Sequence, residues 1–270
     1  SWREIFTDSQ LQQLIDTGLK NNTDLNIARL KVKEAEALLM TSRLSYLPSI
    51  SLSPQGTLNK AEKSKLTKSY NLAVSADWEI DIFGRVTNAK REAKAVLEQS
   101  EAYRQAVQTQ IISGIANTYY TLLMLDRQLD ITEQTADIMK RNVETMQAMK
   151  DAAMFNTTSA GVEQSKAAYA QVLASIPAIQ KSIREAENAM SMLLAQAPQT
   201  IKRGVLEEQQ LPEDFSVGVP LQLLSNRPDV KAAEMALAGT YYNANSARAA
   251  FYPQITISGS AGWTNSAGSA

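Results

Sequence analysis

The chain has no cysteine and no histidine. Those two absences exclude disulfides, thiol chemistry, thiolate or imidazole metal sites, and every nucleophile–histidine catalytic arrangement. Net charge is nearly absent as well. The 27 Lys+Arg against 28 Asp+Glu leave −1 over 270 residues, so no whole-chain basic field argues for nucleic-acid binding. Gly and Pro number only 11 and 8. No apolar run reaches the roughly 18 residues of a transmembrane helix, because charges or amides interrupt each one. Ser1-Trp2-Arg3-Glu4 lacks the basic segment and apolar stretch of a signal peptide. Alanine is abundant, at 37 of 270 residues. With so few helix breakers, that composition predicts long, closely packed helices.

Asp8 or Ser9 can cap a first helix over residues 8–43, with Asn21-Asn22-Thr23-Asp24 marking a break or fresh cap inside it. From residue 86 to about 149 there is no Pro and one Gly, Gly114. A continuous helix of that length would be a rod of nearly 100 Å at about 1.5 Å per residue. Such a rod must pack along its length against other long helices. A second helical run covers about 162–196, where Pro177 is expected to make a kink or bulge. The polar stretch 155–161 between them reads as a turn, so 85–197 is expected to be an antiparallel helical hairpin. Ala89, Ala93, Ser100, Gln110, Gly114 and Asn117 fall on seam positions. Small and mild side chains there suit either a water-soluble coiled coil or a helical wall with a wet inner face.

Two segments break the helical pattern. Tyr70, Leu72, Val74, Ala76, Trp78 and Ile80 alternate with Asn71, Ala73, Ser75, Asp77, Glu79 and Asp81. Period two over twelve residues is a strand with one apolar and one polar face. Ser49-Ile50-Ser51-Leu52-Ser53 alternates likewise, giving a β-hairpin over 47–81. A lone hairpin cannot hide an apolar face in water. It either joins strands of other chains, where a transmembrane barrel strand needs about 9–11 residues, or packs on a helix in a soluble α+β domain.

The chain also repeats itself. At an ungapped offset of 205, Asn21 meets Asn226, Asp24 meets Asp229, Ala28 meets Ala233 and Arg43 meets Arg248. Pro48 then meets Pro253, Ile50 meets Ile255 and Ser53 meets Ser258. Helix, Pro and strand stay in register, as a tandem duplication requires. Residues 1–205 form the first repeat. Residues 206–270 are a connector and a truncated second copy, with a helix over 220–250 and the start of a strand over 253–263. A longer, two-repeat protein is expected.

The run Ala76-Asp77-Trp78-Glu79-Ile80-Asp81-Ile82-Phe83-Gly84-Arg85 resembles the strand-to-helix junction of TolC-like outer-membrane efflux proteins. More narrowly, it resembles the lipoprotein branch partnering resistance-nodulation-division pumps. Leu223-Leu224-Ser225-Asn226-Arg227-Pro228-Asp229-Val230 resembles that branch's second-repeat helix start, and Ala247-Arg248-Ala249-Ala250-Phe251-Tyr252-Pro253-Gln254-Ile255 its entry into a third strand. The likeness runs along essentially the whole chain. The residue chemistry agrees with these roles. Gly84 can turn a strand into a helix and leave Arg85 to anchor the junction, while Pro228 and Asp229 suit a first helical turn.

The resemblance implies a mainly α fold with a β-hairpin. Long coiled-coil helices would form a periplasmic α-barrel, and the strands would enter a transmembrane β-barrel shared by a homotrimer. It implies a duct in a Gram-negative outer membrane, in contact with outer-membrane lipid. That duct would passively export small molecules such as drugs, loaded by an inner-membrane resistance-nodulation-division pump through a periplasmic adaptor protein. The hairpin tip, Phe155, Asn156, Thr157 and Thr158, would meet those partners, and Asn156 is expected to adopt the left-handed conformation. Asp77, Glu79 and Asp81 would face the lumen. The branch's lipid-bearing Cys is absent and is expected upstream of Ser1. The alternative is a periplasmic structural or adaptor coiled-coil protein without channel activity. An enzyme is not expected, since pairs such as Asp77/Glu79, Glu207/Glu208 and Glu213/Asp214 come with no nucleophile or phosphate loop. No cofactor or metal is implied.

Overall fold

The computed structural model describes residues 2–60, 66–152, 158–209 and 226–267. Its helices are α1 (Trp2–Ile5), α2 (Ser9–Asn21), α3 (Thr23–Leu44), α4 (Arg85–Asp151), α5 (Ser159–Leu193) and α6 (Pro228–Ala249). Its strands are β1 (Ser49–Asn59), β2 (Thr67–Ile80) and β3 (Ile255–Ala267), and a 3₁₀ turn covers Leu206–Glu208. The fold is mainly helical with one small antiparallel sheet.

Local chemistry sets the boundaries. Asp8 is the N-cap of α2, its carboxylate accepting from the Gln10 N–H at 2.7 Å. The break expected near residue 22 centres on Asn22, which is buried. Its N–H donates to Gly18 O, its Oδ1 accepts from Leu25 N at 3.1 Å, and its Nδ2 donates to Leu193 O at 2.9 Å. One side chain therefore ends α2, opens α3 and ties both to α5. α5 runs through Pro177 as one continuous helical segment. Proline removes one backbone hydrogen bond, and a 35-residue helix packed at its root tolerates that loss. The two copies of the repeat start alike. α3 and α6 both have 22 residues and begin at Thr23 and Pro228, which are 228 − 23 = 205 apart. The second copy's helix starts at Pro228, and residues 210–225 lie outside the described set.

Packing forms two compact units. The first comprises Ser1–Ile27 and Val107–Gly218, the second Ala28–Ala106 and Val219–Ala270. This division does not follow the repeat boundary. The first unit holds the large apolar core, with Leu11 and Ile15 of α2, Ile115, Tyr119, Leu122 and Leu123 of α4, and Ile179, Ile183 and Met190 of α5. The helices approach closely at Gly18, where an added Cβ would lie 2.4 Å from Ile115 Cδ1. In the second unit the buried helix positions are mostly alanines. Ala28 and Ala35 sit seven apart on α3, and Ala95 and Ala102 seven apart on α4. The seam of α4 therefore runs through Ala95, Ala102, Ile111 and Ile115. Gln110 and Asn117, expected on it, are exposed, because one residue of phase moves a helical side chain about 100° round.

The sheet order is β1-β2-β3, both pairs antiparallel. Register aligns Leu52 with Val74 and Val74 with Ala261, and likewise Pro54 with Leu72 and Leu72 with Trp263. Paired residues share a face. One face thus carries Ile50, Leu52, Leu72, Val74, Trp78, Ile257 and Trp263. The other carries Ser51, Ser53, Asn71, Ser75, Asp77, Ser258, Ser260 and Thr264. The apolar face is accessible, with Leu72 48% and Trp263 64% exposed, and β1 and β3 are exposed on both faces. Across β2, Ser69, Asn71, Ala73 and Ser75 are half-buried while the residues between them are exposed.

Candidate functional site at the strand–helix junction

β2 ends at Ile80, and Asp81 lies past it. The period-two pattern had run Asp81 onto the polar face. In the structure its carboxylate turns to the start of α4, where Oδ1 accepts from Val86 N at 2.9 Å. Oδ2 accepts from Thr87 N at 2.7 Å and the Thr87 hydroxyl at 2.6 Å. Asp81 thus satisfies N–H groups that the first turn leaves unpaired, at the positive end of the helix dipole. Burial pushes its pKa up, but the Thr87 hydroxyl and the Val86 and Thr87 N–H groups outweigh that and hold it below the ordinary aspartate value. Asp81→Ala is expected to cost about 1 kcal/mol by loss of this cap. A thermal melt of the purified protein, with Asp81→Asn retaining part of the stability, checks it.

Gly84 makes the reversal, with φ of +75°, in the left-handed region that favours glycine. The next residue, Arg85, folds back on β2, its Nε donating to Glu79 Oε1 at 2.9 Å and its Nη2 to Oε2. Gln254 also bonds the Glu79 carboxylate. Here the planar guanidinium meets a carboxylate through two bonds, a pairing that lysine could not reproduce.

Aromatic groups complete the junction. Tyr46 donates its hydroxyl to Thr87 Oγ1 at 2.9 Å, its carbonyl accepts from the Trp78 indole at 3.0 Å, and Lys90 lies 5.2 Å from its ring. Phe83 stacks on Tyr252 with ring centroids 4.7 Å apart. A cleft of about 200 Å³ lies between these groups, lined by Glu79, Asp81, Phe83, Arg85, Tyr252 and Gln254. Both copies of the repeat therefore meet here, the first through β2 and α4, the second through the end of α6 and the start of β3.

The other expected site residues lie elsewhere. Asp77 is exposed on the polar face, paired with Ser49 and Ser258. Thr158 is the N-cap of α5, its hydroxyl accepting from Gly161 N at 3.2 Å. Phe155, Asn156 and Thr157 lie outside the described residues. Among the described residues no group of acidic side chains is placed to hold a metal ion.

Two polar clusters in the first unit escaped sequence reasoning. Arg203 donates to both oxygens of Asp126, to Glu187 Oε1 at 2.8 Å and to Ile201 O at 3.0 Å. Asp8 Oδ2 accepts from the Tyr119 hydroxyl at 2.5 Å and from Gln209 Nε2 at 2.9 Å, while Gly204 N donates to that hydroxyl. Burial pushes Asp8 up, but Tyr119, Gln209 and the Gln10 N–H together hold it below its ordinary 3.8. Burial, then the Asp8 carboxylate, raises Tyr119 well above its ordinary 10.0. A depressed carboxyl stabilises the fold above its unfolded value, and that contribution is lost as pH falls through the folded one. A raised phenol contributes below its unfolded value and loses this as pH rises. Melting temperature should therefore hold steady between about pH 5 and 9 and fall on both sides. In Asp8→Asn the part of the acid-side fall due to this carboxyl should vanish, as melts at pH 3 and pH 7 would read.

Residues 14–196 and 219–270 match the profile of the family described as outer membrane efflux protein. The chain belongs to that family. Among its relatives is the cation efflux system protein CusC of Escherichia coli O6:H1, 29% identical over 265 residues, 95% of this chain and 56% of CusC. Another is the probable efflux pump outer membrane protein TtgC of Pseudomonas putida, 29% identical over 272 residues, 97% of this chain and 55% of TtgC. A crystal structure of CusC, from work on its folding and transmembrane channel formation, superposes with a TM-score of 0.87 at 25% identity. That match covers 98% of this chain and 66% of the CusC chain. The chain spans about half the length of the curated relatives it matches.

Proposed function

We propose that this chain is part of a passive exit duct of a tripartite efflux pump in a Gram-negative outer membrane, with its helices extending into the periplasm. The observation that carries the reading is the three-stranded sheet with its accessible apolar face. Water disfavours such a face and lipid covers it. β1 and β3 are the outer strands of this sheet, and open edges are not tolerated in lipid. Further strands must close the barrel, from the second repeat of a longer chain and from two more subunits of a homotrimer. A periplasmic adaptor coiled coil without a channel would leave the apolar face without a role. Small molecules such as drugs pass through without reaction, so the duct is not an enzyme and needs no cofactor.

The tip, residues 154–161, meets the periplasmic adaptor and the inner-membrane pump, and its short polar side chains suit a surface that re-packs on opening. Residues 1–205 are the first repeat of the duct and 206–270 the connector and beginning of the second.

The polar face lines the lumen, and Asp77 and Glu79 stand on it. Glu79 is committed to Arg85, so Asp77 is the better reporter of lumen charge. Three copies form an acidic ring, attractive to cations and screened beyond about 10 Å at 0.1 M salt. In the full-length protein, Asp77→Lys should insert normally yet lower cation preference in planar bilayers. An unchanged reversal potential would count against a lumen-facing Asp77.

A further inference from the structure

Pro177 is exposed, and α5 is helical on both sides of it. A proline inside a helix has no N–H to give, so the carbonyl four residues earlier, that of Leu173, loses its helical partner. The surroundings of this defect change abruptly along the chain. On its C-terminal side, Ile179, Ile183, Glu187, Met190 and Ser191 are buried. On its N-terminal side, no residue of α5 is buried until Val162. The partner helix follows the same division. Ile111, Ile115, Ala116, Tyr119, Leu122 and Leu123 are buried beside the root, whereas over residues 124–151 only Ala136 is. α4 itself has neither Gly nor Pro between residues 115 and 151.

The root is also clasped. Glu187, 2% exposed, bonds Arg203, which holds Asp126 of α4 with both arms of its guanidinium. At the far end α5 meets α4 again near Gly161, where an added Cβ would lie 3.4 Å from Met146 Cε. Between Val162 and Ile179 no side chain of α5 is buried.

From this coincidence of a missing hydrogen bond with the edge of the core, we infer that Pro177 is a built-in joint in α5. The root, residues 179–193, stays fixed to α4 through the core and the Arg203 clasp. The arm, residues 159–176, swings on the joint against an unbroken α4. The inference rests on the reading of the chain as a duct whose tip re-packs on opening, and it assigns that motion a fulcrum within the first repeat. A proline costs a helix interior far more than an alanine, so Pro177→Ala removes the weak point without removing any core contact.

The test is amide hydrogen exchange on the full-length trimer, read beside export of a fluorescent solute from cells. In Pro177→Ala, exchange over residues 174–181 should slow about tenfold or more, exchange over 183–193 should not change, and export should fall. Arg203→Ala is the complementary variant, expected to speed exchange over 183–193. Unchanged exchange over 174–181 in Pro177→Ala would overturn the joint, and so would slowed exchange with undiminished export. A wild-type protein that exports nothing would instead overturn the duct, while the exchange comparison still decides whether α5 has its joint at Pro177.

Discussion

In the full-length protein, Val74→Lys is expected to cost about 2–4 kcal/mol of membrane stability if the residue lies near mid-bilayer. Val74 stands in the middle of β2 on the exposed apolar face, flanked across the sheet by Leu52 and Ala261. All three strands contribute apolar or small residues to that neighbourhood, so a lysine there has no polar group to reach and must carry its charge into hydrocarbon. One position along, Ser75 faces the other way, between Ser51 and Ser260. Ser75→Lys should therefore assemble nearly as well as the unmutated protein. The ratio of membrane-assembled trimer to unassembled chain in the two variants reads the difference directly. Equal yields would mean that the sheet does not divide lipid from water along its two faces.

Arg203→Ala should have the largest effect on the helical part. It removes two bonds to Asp126, one to Glu187 and one to the backbone of Ile201. Asp126 is partly exposed and can be re-solvated. Glu187 cannot, although Arg184 still bonds its other oxygen at 3.1 Å. Stranding a buried carboxylate costs about 3 kcal/mol or more. The expected outcome is a large drop in denaturant midpoint, with Arg203→Lys intermediate because a point charge replaces a planar fork. Removing the acid together with the base, in Arg203→Leu combined with Glu187→Leu, should recover much of the loss, since the penalty belongs to the unpaired charge.

How much of this was legible in the sequence depends on the range over which each feature is written. Strand faces have period two, and β2 declares them residue by residue from Tyr70 to Glu79. The same regularity misled at Asp81, whose parity continues the pattern after the backbone has left the strand. The local cue was a carboxylate a few residues before Gly84 and the new helix, the place where a helix start needs an acceptor. Gly84 and Arg85 were readable because their roles are local, a left-handed turn and an ion pair six residues back. The duplication was readable because Thr23 and Pro228 open helices of equal length at a constant offset. The seam of α4 was harder, because a helix carrying several mild faces offers no single stripe and alanine is equally at home on each. The Arg203 clasp was out of reach, since it joins residues 77 apart in the chain that only the packing of α4, α5 and the segment after α5 brings together.

The central claim is that the apolar face of β2 meets lipid and its polar face meets water. It can be measured in the full-length protein, in intact outer membranes, by placing single cysteines along residues 70–79 and labelling with a charged, membrane-impermeant thiol reagent. The 270 residues contain no native cysteine, so each introduced thiol is the sole reporter in this stretch. Cysteines at 71, 73, 75 and 77 should label, and those at 70, 72, 74, 76 and 78 should resist. Uniform labelling, or the inverse alternation, would contradict the barrel and with it the duct.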